Sequence, residues 1–274
     1  VANGALLYNR FIRVQVFDIG GVGRTFSNLR IAFDVKKTSE SNTNTTTIKI
    51  YNLNPESRAF LEQTDLSVIL EVGYQAFESE PIIEILSTGN LLRGKVKHER
   101  EAGDWVTSLE YGDGETPLQE SFYNRSFVAG ASLRSIIQDV ARTLGLPVNT
   151  IIGLQDRTLN SSAVFSGSSK EILDRITRDA GVEWSIQDGE VVILPPAGFT
   201  LEEVIVLNEN TGLIGSPIRR KTGIEFTALL NPRIRSGRRV RITSRDVTGE
   251  YRVRKVEFEG DNLEGKWNAM CEAL

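Results

Sequence analysis

The chain has almost no cysteine or histidine: Cys271 and His98 stand alone among 274 residues. A lone cysteine closes no internal disulfide, and one thiol with one imidazole makes no cluster for a structural metal, so packing and association must supply the stability. Cys271 falls in the last apolar strand and reads as a small buried thiol. No apolar run approaches the roughly 20 residues that span a bilayer, and the N-terminus lacks the cationic and apolar regions of a signal peptide. A soluble globular chain, held in the cytoplasm before any assembly, is therefore expected. Charge of one sign is lacking too. Lys and Arg number 32 against 36 Asp and Glu, and a formal charge of −4 exerts no global pull toward nucleic acid or an anionic membrane. Hydrophobic residues at 40% and charged residues at 25% are ordinary proportions, which excludes wholesale disorder. A chain of this length buries roughly 75% of its unfolded surface, enough for two or three small cores.

What the sequence does have is one phrase written twice. Val96 to Leu109 reads VKHEREAGDWVTSL and Val256 to Cys271 reads VEFEGDNLEGKWNAMC: a Val-led charged strand, a Gly-containing turn, then a Trp-led strand. A short strand precedes each at a distance, Val68-Ile69-Leu70 and Val240-Arg241-Ile242. Two similar β-domains flanking an insert present a repeated surface, which points away from a single buried active site.

The first 120 residues read as strands with one short helix. Leu29, Ile31, Phe33 and Val35 alternate with polar residues, the period of a half-buried strand, and similar runs occur at 12–16, 48–50 and 68–74. The polar run Lys37 to Thr47 has no periodicity and is expected to be an exposed hairpin loop, able to serve as an arm onto a neighbour. Asn54 followed by Pro55 signals a helix start. Further strands are expected near 66–74, 82–88, 91–100 and 105–111, in a barrel or sandwich.

From 121 to 200 the period turns helical. Ser132 can cap a helix whose apolar positions are Leu133, Ile136, Ile137, Val140 and Leu144, and Ser168 with Glu171 forms a capping box for a second, ended by Gly181. Strands at 183–186 and 191–194 around Asp188-Gly189 complete a small α/β module, and Pro195 to Gly198 is a stiff exit. The rest returns to strands, near 203–207, 224–229, 238–243, 250–259 and 266–273. The fold class expected is mainly β with an α/β insert: a barrel domain at 1–120, a two-helix module at 121–200 and a second barrel domain at 201–274. Between Arg219 and Lys255 stand 12 Lys or Arg and only Glu225, Asp246 and Glu250 as acids. Arg238, Arg239 and Arg241 straddle both faces of a strand and aromatics are sparse, so a docking surface for an acidic protein fits better than nucleic-acid recognition, with solvated strand faces as the plain alternative.

Candidate chemistry is thin. His98 has no nucleophile elbow to serve. Asp113 and Glu115, or Asp18, offer the carboxylates of a glycosidase, yet 36 acids make such pairs common and a Gly-Asp-Gly turn explains itself by geometry. Gly20, Gly21 and Gly23 lack the Gly-Lys-Ser/Thr ending of a phosphate loop and read as a hairpin turn. Trp105, Trp184 and Trp267 occupy alternating apolar strand positions and are expected in the core, unlike the exposed aromatics of a carbohydrate-binding module. No catalytic, cofactor-binding or metal-binding residue is assigned.

IYNLNPESRAFLEQTDLSVILEVGY, the phrase Gly103 to Trp105, TGLIGSPIRRKTGIEFTALLNPRIRSGRRVRI and GEYRVRKVEFEGDNLEGKW together resemble the baseplate hub proteins of contractile-tailed bacteriophages, a family related to the hub part of contractile injection spikes. The resemblance spans nearly the whole chain and is most specific toward its C-terminal stretch. It implies a structural, non-enzymatic virion protein of the tail baseplate, assembled in the host cytoplasm without cofactors. It implies a homotrimer whose two tube-like barrels per chain make a pseudo-sixfold ring, one face continuing the tail tube or its initiator and the other seating the central spike. Tape measure and baseplate wedge proteins are further expected neighbours, and DNA passes the lumen without specific binding. The basic cluster should then point away from that bore, since phosphate contacts would hold the duplex. The sequence ends after the second repeated phrase, so a spike or lysozyme domain is expected on separate chains. A tail-associated wall-degrading enzyme and a distal tail or tube-initiator protein, with six copies, are the alternatives.

Overall fold

The computed structural model describes residues 9–41, 44–75, 82–91, 94–113, 118, 121–148, 150–155, 157–187 and 189–274. Helix α1 (Pro55–Leu61) follows strands β1 (Arg10–Phe17), β2 (Gly23–Phe26), β3 (Ile31–Thr38) and β4 (Asn44–Tyr51). Then come β5 (Leu66–Tyr74), β6 (Ile82–Leu91), β7 (Val96–Glu101) and β8 (Asp104–Asp113). The insert holds β9 (Phe122–Phe127), α2 (Leu133–Arg142), β10 (Thr150–Ile151), β11 (Ala163–Ser168), α3 (Ser169–Ala180), β12 (Glu183–Gln187) and β13 (Glu190–Leu194). The last stretch holds β14 (Ile205–Leu207), β15 (Leu213–Arg219), β16 (Ile224–Leu229), β17 (Arg239–Thr243), β18 (Thr248–Asp261) and β19 (Trp267–Ala273).

The chain is mainly β with a small α/β insert, as its patterning predicts, but its strands form open sheets. Among the described residues no sheet closes into a barrel. The largest, of ten strands, runs β15-β16-β19-β18-β3-β4-β8-β7, with β14 and β17 attached through β18, and a four-stranded sheet runs β2-β1-β5-β6. The β3–β18 ladder fuses the N-terminal and C-terminal β-lobes, pairing Thr38 with Lys255 through Ala32 with Asp261. One hydrophobic cluster accordingly includes Ile12, Phe33 and Leu109 together with Phe226, Phe258 and Trp267. A second cluster, from Leu118 to Ile193, is the insert's own, with Ile136, Ile137 and Val140 of α2 against Ile172, Leu173 and Ile176 of α3.

Local signals explain the element starts. The Asn54 side chain accepts from the Ser57 backbone N–H at 2.7 Å and caps α1 behind Pro55, and Ser132 caps α2. Helix α3 starts where expected, yet Ser168 makes no side-chain capping bond, so the expected capping box is not formed. Gly181 ends α3 at φ 71°, the left-handed conformation glycine adopts without steric cost. The described residues of the run 37–47 do not form one exposed loop. The run's two ends belong to β3 and β4, and Lys37, Ser39, Asn44 and Thr46 are buried. The cause is the insert packing on it: Asn44 Nδ2 donates to the Ile186 carbonyl at 2.8 Å and Gln187 Nε2 to the Thr38 carbonyl at 2.7 Å. Polar side chains are tolerated in a buried strand when they find such partners.

On β1 and β5, Arg13 grips Glu71 with two bonds at 2.5 and 2.9 Å, and Gln15 donates to the same carboxylate at 2.9 Å. The Arg13 hydrogen bond holds the Glu71 carboxyl below its ordinary value of 4.5. A carboxyl so lowered adds stability above its ordinary value, and the gain disappears as pH falls through the lowered folded value. Glu71→Gln should therefore cost about 1 kcal/mol at neutral pH, since Arg13 is partly exposed and screened, and progressively less as pH falls below the ordinary carboxylate range. Urea titrations of both proteins across that range check this.

Candidate assembly interface

The two lobes share four ladders of one strand plan. The ladders β3–β4, β4–β8, β7–β8 and β5–β6 of the N-terminal lobe match β15–β16, β16–β19, β18–β19 and β17–β18 of the C-terminal lobe, all antiparallel. The repeated phrases are the hairpins β7–β8 and β18–β19, in equivalent register: Val96 faces Leu109 as Val256 faces Cys271. The preceding short strands are β5 and β17. Where the first lobe has two strands, β6 and β7, the second has the single 14-residue β18, which leaves β17 for β19 and β3 past a register shift between Val253 and Lys255. A third shared phrase escaped the periodicity reading. Leu53-Asn54-Pro55 and Leu230-Asn231-Pro232 follow β4 and β16; both leucines are buried, and Asn231 Oδ1 accepts from the Arg233 N–H at 3.0 Å much as Asn54 caps α1. Comparing the tails of the two strands by eye would have revealed it.

The sheet therefore ends on two edges. Among the described residues β7 pairs only with β8, and β15 only with β16. Edge β15 is bulged over Gly215-Ser216-Pro217 and leaves Ile214 and Ile218 exposed, at 43% and 54%. On the polar face of the sheet's middle two lysines partly offset three acids. Asp34, Glu257 and Glu259 bring carboxylate oxygens within 4.8 Å of one another. Lys36 lies 2.8 Å from Glu257 and Lys266 lies 2.5 Å from Glu259. Burial, offset in part by Lys36, raises the Asp34 carboxyl above its usual range.

The candidate residues do not converge. His98, on β7, shares a hydrogen bond with the Thr107 hydroxyl at 2.9 Å. Asp18 accepts from the Gly20 and Val22 N–H groups at 2.8 and 2.9 Å, tying the β1–β2 turn that carries Gly20, Gly21 and Gly23. Glu115 and the Asp113 side chain lie outside the described residues. Cys271 is buried on β19 and burial pushes its thiol up. Of the tryptophans, Trp184 and Trp267 are core at 3% and 6% exposure, but Trp105 is 39% exposed. The guanidinium groups of Arg58 and Arg100 lie over its ring at 5.0 and 4.8 Å. A cavity of about 570 Å³ beside β13 contains Glu190 and Glu202, of which Glu202 is ion-paired with Arg238 at 3.2 Å.

The basic stretch is largely spent inside the chain. Arg239 and Arg241 share Glu250. Arg233 and Arg235 reach Glu84 on β6, Arg254 reaches Glu40, and Lys255 reaches Glu272. Arg252, only 3% exposed, holds Glu183 of the insert at 3.2 Å and the Pro196 carbonyl. Arg233, Arg235, Arg252 and Arg254 thus tie the C-terminal lobe to the N-terminal lobe or the insert, while Arg239, Arg241 and Lys255 pair within their own lobe.

Comparison with known proteins is consistent with this geometry. A family model described as baseplate hub gp41 matches residues 12–266. Among curated proteins none matches by sequence. The fold is similar to that of the 43 kDa tail protein of prophage MuSo2 from Shewanella oneidensis, with TM-score 0.65, 12% identity and 96% of each chain covered. It is equally similar to a tail protein from Neisseria meningitidis MC58, with TM-score 0.64, 12% identity and 97% of each chain covered. A third neighbour is the E. coli c3393 protein, a type VI secretion component described as similar to the T4 bacteriophage tail proteins gp27 and gp5. Its TM-score is 0.57 at 10% identity, covering 89% of this chain and 73% of that one.

Proposed function

We propose, from the premise that the chain belongs to the baseplate hub gp41 family and so is a structural component of a phage tail, that it acts as a homotrimeric adaptor between a sixfold tube and a threefold spike. The observation that carries this reading is the repeated strand plan. Two equivalent β-lobes per polypeptide let three chains offer six similar surfaces, so a threefold object matches a sixfold one without asymmetric contacts. One face of the ring continues the tail tube or its initiator, and the other seats the central spike. Tape measure and wedge proteins are further neighbours, and DNA passes the bore without specific binding. The lobes occupy about 1–120 and 201–274, with the module at 121–200 on the ring's outside or spike-proximal end. The role is architectural and not enzymatic, and the Arg219 to Lys255 cations point away from the bore.

Light scattering on the purified protein tests the stoichiometry. The expected mass is three times the 30.4 kDa chain; six copies would instead identify a tube initiator. An interface of this obligate kind buries about 2,000 Å² or more, so dissociation should require dilution far below micromolar or partial denaturation.

A further inference from the structure

The two edges of the ten-stranded sheet, which have no further partner strand among the described residues, are the counterparts of the two strands that pair in its middle. In the repeated plan β15 stands where β3 does, and β7 stands where the C-terminal half of β18 does. Inside the chain β3 and β18 form a seven-pair ladder that joins one lobe to the next. We propose that β15 of one protomer pairs antiparallel with β7 of a second copy, repeating this ladder between chains and closing the ring through backbone hydrogen bonds. The proposal rests on the trimeric reading above and adds the contact and its register.

The register follows from the equivalences. Val96 corresponds to Val256, so His98 corresponds to Phe258 and Glu99 to Glu259. Leu109 and Cys271 lie opposite Ile48 and Phe226, which places Thr46 with Ile224 and Thr47 with Glu225. Their partners on the outer strands are Val35 and Arg219, and Asp34 and Ile218. The intrachain pairs Phe258 with Val35 and Glu259 with Asp34 therefore become His98 with Arg219 and Glu99 with Ile218 between chains.

Backbone direction supplies an independent check. In an antiparallel ladder both polar groups of a residue point to the same side, alternating along the strand. The Glu110 N–H donates to the Lys95 carbonyl, so odd residues of β7 bond to β8 and His98 faces the open edge. The Arg220 N–H donates to the Gly223 carbonyl, so Ile218 and Arg220 bond toward β16 and Arg219 faces the open edge. The same reasoning applies within the chain. The Tyr51 N–H donates to the Arg30 carbonyl and the Asp261 N–H to the Lys266 carbonyl, which leaves Val35 and Phe258 facing each other. A one-residue slip would oppose satisfied groups to unsatisfied ones. Upstream of Ile218 the Pro217 bulge limits the ladder, because proline donates no hydrogen bond and is confined to edges and bulges. The pairing also covers Ile218, an exposed apolar side chain on an otherwise unprotected edge.

Glu99 and Ile218 form a pair without mutual hydrogen bonds, where Cα atoms stand about 4.5 Å apart, within disulfide range. Mixing the single variants Glu99→Cys and Ile218→Cys under mild oxidation should give a covalent dimer, and the double variant a covalent trimer on a non-reducing gel. Lys97→Cys with Ile218→Cys, a diagonal pair some 7–8 Å apart, should give at least tenfold less. Both positions are exposed, and the native Cys271 is buried. A mass of three chains with no product at Glu99 and Ile218 overturns this contact while leaving the trimer standing. Stronger product from the Lys97 pair overturns the register. A mass other than three chains overturns the trimeric reading and this contact with it.

Discussion

Trp267→Ala should destabilise the protein by about 3–5 kcal/mol, the usual cost of emptying a large buried aromatic site, whereas Trp105→Ala should cost about 1 kcal/mol. The two residues occupy equivalent places in the two hairpins, so their difference isolates what surrounds each. Trp267 meets Phe33 and Tyr74 edge-on, at centroid distances of 5.9 and 6.1 Å, and Arg10 lies over its ring at 5.4 Å. Arg10 is fixed in turn by the Asp261 carbonyl at 2.8 Å. The β1 strand, which bears Arg10, covers this side of the sheet, and burial there pushes the Tyr74 phenol up to about 12. The Trp105 ring is 39% exposed and carries two arginines, and cation–π contacts at exposed sites contribute about 0.5–1 kcal/mol each. Guanidinium unfolding of both variants would decide the matter. Equal costs would mean that Trp105 is covered by something, most simply a neighbouring copy.

Gly223→Ala is expected to cost about 2–5 kcal/mol, combining the left-handed penalty of about 1–2 kcal/mol with a steric clash. Gly223 has φ +92°, and a Cβ there would sit 1.9 Å from the Ala273 carbonyl oxygen, inside the ladder that joins β16 to β19. Relief requires moving the β15–β16 turn, and with it the open edge, so the oligomer should weaken more than the fold. Gly265→Ala is the control. Its φ is +77° but nothing lies near the added atom, so it should pay only the backbone penalty and leave assembly intact. Unfolding curves read the first effect and light scattering the second. Retention of the full oligomer by Gly223→Ala would argue that β15 has no part in it.

Much of this was legible in the chain because the signals were local. The two Val-to-Trp phrases are hairpins in equivalent register, Asn54 caps a helix, and the apolar spacing of Ile136, Ile137 and Val140 marks the buried face of α2. What was not legible depends on partners far away in sequence. The run 37–47 looks like a loop because nothing nearby reveals that Ile186 and Gln187 will satisfy its polar groups. Trp105 looks like core because periodicity reports which face a residue takes and not whether anything covers that face. Strands β9 and β11 pair in the insert with Phe122 and Val164 left exposed, so their alternation is weak. Strand β15 is broken by Gly215-Ser216-Pro217. The fusion of the lobes through β3 and β18 joins the two ends of the chain, and no window of residues contains it.

Two similar β-lobes per chain should make three copies resemble six. A three-dimensional electron microscopy reconstruction of the assembled particle, computed without imposed symmetry, tests it most directly. Six β-lobes should lie at one radius around a threefold axis, alternating between N-terminal and C-terminal. Lobes of the two kinds at different radii, or six chains around the axis, would contradict it.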